Sequence, residues 1–271
     1  MLALSCGLLA AVAANAAGNH IVYTPAKGVI IPKAGNLVNH GGRVLTSARV
    51  VFIFWGPTFA NAASADHTYA TTLQAFRNQF GTTGEYNVIT QYCGSNGCIA
   101  LTNLGSGTAD LFDTSTPPTK VTDSLVRSEV SKYLQTHTFN SNTVYEVVIP
   151  KTSYSDDGSG ATSCGGPFLQ YCAYHSNFSS GANDVKYSIE PYPSCSGCKV
   201  SGWSDVQNQE HFVCHETREA VTDPDGTTWW DTSGAEADDK CAWSPSPFIG
   251  TNGYSYQYEW SNANGTCVRT R

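Results

Sequence analysis

Arg49-Val50-Val51-Phe52-Ile53-Phe54-Trp55, closed by Gly56-Pro57, is a continuous apolar run that leaves no polar face. A strand wetted on one side alternates apolar and polar residues, whereas a strand covered on both faces does not need to. The run therefore predicts a central strand with helices on either side. Val144 to Ile149, ended by Pro150, repeats the pattern, and Val185 to Ile189 predicts a further strand before Pro191 and Pro193. Tyr86 to Tyr92 (YNVITQY) reads as another, from its aromatic and β-branched content. Ala65 to Phe80 places Tyr69, Leu73, Phe76 and Phe80 at helical spacing, and Thr122 to His137 does the same with Leu125, Val130, Tyr133 and Leu134. Asp110–Pro118 and Lys151–Gly166 read as loops. This alternation predicts an α/β fold: one domain, a mixed sheet with flanking helices, over residues 49–271.

The 271 residues are long enough to bury a sizeable core, and no repeat or low-complexity tract interrupts them. Only 14% are charged, the formal net charge is -7, and no basic run occurs, which argues against a nucleic-acid partner. Residues 1–16 are almost wholly apolar and end Ala14-Asn15-Ala16, the small-x-small pattern of a secretory signal, although the basic n-region is missing. Residues 17–48 are Gly/Pro-punctuated with short extended pieces and read as a peripheral N-terminal arm. No later segment is apolar enough to span a bilayer, so the expectation is a secreted chain with no membrane contact after signal cleavage.

Ten cysteines suit an oxidising compartment. Removing Cys6 with the signal leaves nine, whose short spacings favour Cys93–Cys98, Cys164–Cys172 and Cys195–Cys198, with Cys241–Cys267 tying down the C-terminus and Cys214 left over. Spacing does not fix connectivity. A zinc knuckle built on Cys195-x-x-Cys198 is disfavoured, because disulfide formation removes the thiolates it needs. Asn177-Phe178-Ser179 and Asn264-Gly265-Thr266 are acceptor sequences for N-glycosylation, both in turn-like stretches.

The chemistry concentrates in His215-Glu216-Thr217-Arg218-Glu219. Ser204-x-x-Gln207 is a capping-box signature that opens a helix, and Pro224 closes it, so the motif helix runs over about 204–223. Val206, Val213 and Ala220 form its apolar stripe; Phe212, His215, Glu216, Glu219 and Asp223 fall on an arc on the other side. His215 and Glu219, one turn apart, can share a zinc ion, and Glu216 beside them is the candidate catalytic base. A third ligand is needed. Asp239 is the first choice, with Asp223, Asp225, Glu236 and His175 as alternatives. The acid group Asp223, Asp225, Glu236 and Asp239 could instead hold calcium, whose preferred ligands are oxygens. His20, His40, His67, His137 and His211 read as surface or packing residues. Trp229, Trp230, Trp243 and Trp260 could line a sugar platform or lie in the core, the commoner outcome. No Gly-x-Ser-x-Gly elbow or phosphate-binding glycine loop is present.

Phe52-Ile53-Phe54-Trp55-Gly56, Tyr86 to Tyr92, Tyr171-Cys172-Ala173-Tyr174-His175, Thr222-Asp223-Pro224 and Glu236 through Cys241 together resemble the EXORDIUM-like, or phosphate-induced protein, family. The likeness covers about Arg49 to Cys267. It implies a secreted or cell-wall protein, linked in plants to growth and brassinosteroid responses without an established catalytic activity. The chain looks closer to microbial relatives, which carry His-Glu-x-x-Glu ahead of Thr-Asp-Pro; in the plant proteins that segment is largely apolar or small. Two expectations follow. One is a secreted zinc-dependent hydrolase acting on protein or peptide, with a zincin-like arrangement. The other is a non-catalytic extracellular protein, associated with a cell-wall component, that holds a structural zinc or calcium ion.

Overall fold

The computed structural model describes residues 20–271. The segment read as a signal lies outside the described residues, as do residues 17–19 of the arm. Six strands make one mixed sheet: β1 (Val22–Pro25), β2 (Arg49–Trp55), β3 (Leu111–Asp113), β4 (Thr143–Ile149), β5 (Tyr171–Ser180) and β6 (Asn183–Pro191), in the spatial order β1-β5-β6-β4-β2-β3. The β6-β4-β2-β3 half is parallel, while β5 pairs antiparallel with both β6 and β1. The helices are α1 (Ala65–Phe80), α2 (Asp123–Leu134) and α3 (Asp205–Thr222).

Burial explains why β2 shows no alternation. Val50, Phe52 and Phe54 pack with Leu73 and Phe76 of α1 and Val213 of α3, while Val51, Ile53 and Trp55 pack with Val126, Val130 and Tyr133 of α2. Every residue from Val50 to Trp55 is buried. Each face thus needs apolar side chains of its own, which a run such as this supplies.

Several expectations change. Tyr86–Tyr92 is not a strand: Gly84–Asn87 and Val88–Gln91 are short helical turns, with the Thr83 side chain accepting a hydrogen bond from the Tyr86 backbone at 3.3 Å. Tyr86 and Ile89, three apart, then both bury in the core shared with α1. Within the 110–118 loop Leu111–Asp113 forms edge strand β3, and Tyr154–Asp156 pairs with Lys120–Thr122 inside the 151–166 loop. Residues 22–25 of the arm are β1, an edge strand of the sheet. Asn177 lies within β5, its side-chain amide donating to Asp184 at 2.8 Å, rather than in a turn; Asn264 does lie at an exposed turn.

The disulfides are Cys93–Cys98, Cys164–Cys195, Cys172–Cys198 and Cys241–Cys267, with Cys214 free and buried. The two central bridges are crossed relative to the pairing expected from spacing: each joins the β5 region to the 195–198 turn rather than closing a local loop. Among the described residues no helix is long and apolar enough to cross a membrane.

Candidate metal centre

Ser204 and Gln207 form the reciprocal capping box that starts α3, and Asp223 caps its end. What differs from expectation is the surroundings. Every residue of α3 from Asn208 to Thr222 is buried, so its polar arc faces the protein interior instead of water. The sheet meets that arc with polar groups of its own. Glu146 of β4 accepts from the Thr217 hydroxyl at 2.6 Å, Glu190 of β6 accepts from the Gln209 amide at 2.6 Å, and His175 of β5 faces Glu216.

His215 Nε2 lies 3.0 Å from Glu219 Oε2 and 3.8 Å from Asp239 Oδ1. None of the three atoms makes a hydrogen bond. Four donors about 2.1 Å from one zinc ion stand about 3.4 Å apart at tetrahedral corners, so the separations bracket the expected value. Asp239 is positioned by its own backbone N–H, which donates to Glu219 Oε1 at 2.9 Å.

The tautomer of His215 follows from its other nitrogen. The Gln257 amide nitrogen faces two acceptors, the Asp238 carbonyl at 2.7 Å and its Oδ1 at 3.2 Å, so the amide oxygen must be the atom facing His215 Nδ1 at 3.2 Å. Nδ1 therefore carries the proton, and Nε2 presents a lone pair to a carboxylate oxygen 3.0 Å away. Two lone pairs at that separation repel unless a cation or a proton lies between them. An outer partner that fixes the ring in this way is the usual companion of a metal-binding histidine.

Glu216 sits beside this set. Its Oε1 accepts from the backbone N–H of Thr24 at 3.1 Å and from the Thr24 hydroxyl at 2.5 Å, and its Oε2 faces His175 Nδ1 at 3.1 Å. His175, Glu216 and Glu219 each offer a ligand atom within 4.8 Å of the others, as do His20, Asp223 and Glu236, and as do His215, Glu219 and Asp239. A fourth group, Cys164, Cys195 and Cys198, is committed to disulfides. Asp225 stands apart, paired with buried Lys186 at 2.6 Å, so the four-acid calcium set is divided among separate neighbours.

Glu216, Glu219, Asp223, Glu236 and Asp239 are each at most 4% exposed, and among the described residues none pairs with a lysine or arginine. Burial pushes all five carboxyls up, Glu216 to about 7, and pushes His175 down to about 3, which leaves its imidazole neutral. The Arg218 guanidinium, on the same helix, is fully buried and engaged with Asp238 and, at 2.7 Å, with Glu259.

Gln257, Asp238, Thr24 and His20 were not legible as site residues. Each is an ordinary residue in sequence, made relevant by contacts over distances of up to 216 positions, from His20 to Glu236. His211 is a packing residue as expected, its ring set among Trp203, Phe212 and Trp243. The tryptophans are committed to packing: Trp230 stacks on His40, Trp229 donates to the Cys93 carbonyl, and Lys240 lies over Trp260. Comparison of the chain with protein-family models, with curated proteins and with solved structures returned no match.

Proposed function

We propose that this chain is a secreted zinc-dependent hydrolase of the peptidase type, with His215, Glu219 and Asp239 as ligands and Glu216 as the base. The observation that carries the reading is the buried, hydrogen-bond-free convergence of His215 Nε2, Glu219 Oε2 and Asp239 Oδ1, with the His215 tautomer set for ligation. Supporting it, the helix that bears ligands and base packs on a mixed sheet, as a zincin-like arrangement requires. Four disulfides fit the oxidising compartment of a secreted protein.

An ion at this position would polarise the scissile carbonyl and acidify a bound water. Gln257 holds the His215 ring, and the Asp239 backbone holds Glu219. Thr24 donates two hydrogen bonds to Glu216 Oε1 while Oε2 faces His175 Nδ1 at 3.1 Å, so the second lone pair of Oε2 is the one that would take the water proton. It then returns that proton to the leaving nitrogen as the carbon–nitrogen bond breaks and the new carbon–oxygen bond completes the acid. Asp239 also lines a surface hollow of about 180 Å³ with Pro25, Val29, Ile30, Ile31, Lys33 and Ala242, the approach available to a peptide.

The test is Glu216→Gln in zinc-loaded protein, assayed on a peptide library by mass spectrometry. Zinc content should stay stoichiometric while cleavage falls by about 10²–10⁴-fold. Undiminished cleavage, or His215→Ala protein with wild-type zinc content, would overturn the reading. One observation favours a second reading, a structural ion in a non-catalytic EXORDIUM-like extracellular protein: His215, Glu216 and Glu219 are 0% exposed. Stoichiometric zinc with no cleavage of any peptide by wild-type protein would support it.

A further inference from the structure

Three segments distant in sequence meet at the end of α3. His20 precedes β1, Asp223 caps α3, and Glu236 belongs to the turn leading to Cys241. Their ligand atoms lie within 4.8 Å of one another, with His20 Nε2 3.6 Å from Glu236 Oε1. We propose that His20, Asp223 and Glu236 form a second divalent-cation site, separate from the His215 centre, which pins the N-terminal strand to the end of the motif helix.

The acids alone would not carry this; the valences left open do. Glu236 is 1% exposed and neither of its oxygens receives a hydrogen bond. Asp223 is also 1% exposed. Its Oδ1 takes the backbone N–H groups of both Thr227 and Thr228 at 2.7 Å, which fixes the carboxylate and leaves Oδ2 buried and unpartnered. On the β5 side His175 Nδ1 faces Glu216, so its Nε2, also without a hydrogen bond, stands 3.8 Å from Glu236 Oε2. Both Glu236 oxygens, Asp223 Oδ2 and His175 Nε2 thus face this space without a hydrogen bond among the described residues. Leaving such groups unsatisfied in the interior is costly, and a divalent cation satisfies several at once.

The backbone is shaped around His20. Gly226 has φ +66°, and a Cβ there would stand 2.7 Å from the His20 ring, so only glycine lets the Asp223–Gly226 turn close on the imidazole. The donor set, one imidazole and two carboxylates, favours a zinc-class ion over calcium, which takes oxygen ligands. Because Ile21–Pro25 follows His20 directly and Thr24 holds Glu216, an ion here also sets how firmly β1 covers Glu216.

The experiment is zinc titration of chelator-stripped full-length protein, followed by calorimetry and metal analysis, on wild type, His20→Ala, Glu236→Gln and His215→Ala. His20 is half-exposed, so its loss spares the core. Wild type should bind two equivalents. His20→Ala and Glu236→Gln should each keep one and weaken the other by more than about 100-fold, beyond the cost of losing an outer-shell contact. Hydrogen exchange at Val22–Thr24 should quicken in both. A His20→Ala protein that binds as wild type does would overturn the proposal. If instead His215→Ala keeps all its zinc while His20→Ala loses one equivalent, the second site stands and the hydrolase reading fails.

Discussion

Replacing Arg218 by Met tests how the candidate metal centre is held. The substitution retains most of the apolar stem and removes the guanidinium. In the fold that group is 0% exposed, contacts Asp238 through Nε at 3.1 Å and through Nη2, pairs with Glu259 at 2.7 Å, and donates to the Gln257 carbonyl at 3.2 Å. Its loss strands two buried carboxylates without a cation. Breaking a buried ion pair by removing one partner costs about 3–5 kcal/mol, a large part of the roughly 5–15 kcal/mol that holds a domain together. At about 2–4 °C per kcal/mol for a chain of this size, the melting temperature should fall by about 6–20 °C. Thermal and urea unfolding at pH 7, followed by circular dichroism, read this directly. The triple variant R218M/D238N/E259Q removes the stranded charges as well and should recover at least half of the loss. A single-variant cost below about 1 kcal/mol would refute the reasoning, since it would mean that the two acids do not depend on Arg218. Zinc affinity should fall in the same variant, because Arg218 and Asp238 are the chain neighbours of Glu219 and Asp239.

Non-reducing peptide mapping should recover Cys164 linked to Cys195 and Cys172 linked to Cys198; a Cys164–Cys172 peptide would contradict the fold around β5. Removing Cys172–Cys198, which closes a separation of 26 residues, should cost about 3–4 kcal/mol on the loop-entropy estimate, read by urea unfolding. Glu210 is pushed up to about 7 by burial, partly offset by the Ser255 N–H that donates to it at 2.8 Å. Its folded value lies above the unfolded one, so the stability it contributes is present in full below about pH 4.3 and is lost as pH rises through about 7. Glu210→Gln should therefore be stabilising by about 1–3 kcal/mol at pH 8 and near neutral at pH 4, and equal effects at both would contradict the assignment.

What could be read in advance was local. The runs 49–55 and 144–149, the two helices of the first half and the Ser204–Gln207 box each carry their signal within a few residues, so periodicity and capping found them. Tyr86–Tyr92 misled because its aromatic and β-branched side chains suit a strand, yet Tyr86 and Ile89 bury together only on a helical turn; tertiary packing overrode propensity. β1 has just four residues and becomes a strand only through β5, about 150 positions away. The crossed disulfides have the same origin: short spacing is a statement about loop closure, while β5 and the 195–198 turn are brought together by the sheet. In the candidate site, His215, Glu219 and Asp239, whose ligand atoms lie within 4.8 Å of one another, were singled out because helix spacing and acid content are sequence properties. His20 was not, since an isolated histidine carries no signal until a glycine turn closes on it.

Cys214 stands one residue before the motif, fully buried, with its thiol pushed far above the ordinary range by burial. In the native chain it is therefore inert, since attack on a disulfide needs an accessible thiolate. It is the odd thiol beside the eight cysteines that form the four bridges. Docking of the motif helix against the sheet is what withdraws it from exchange. The burial that docking of this helix imposes is thus what keeps the thiol from exchanging with the four bridges of the folded chain.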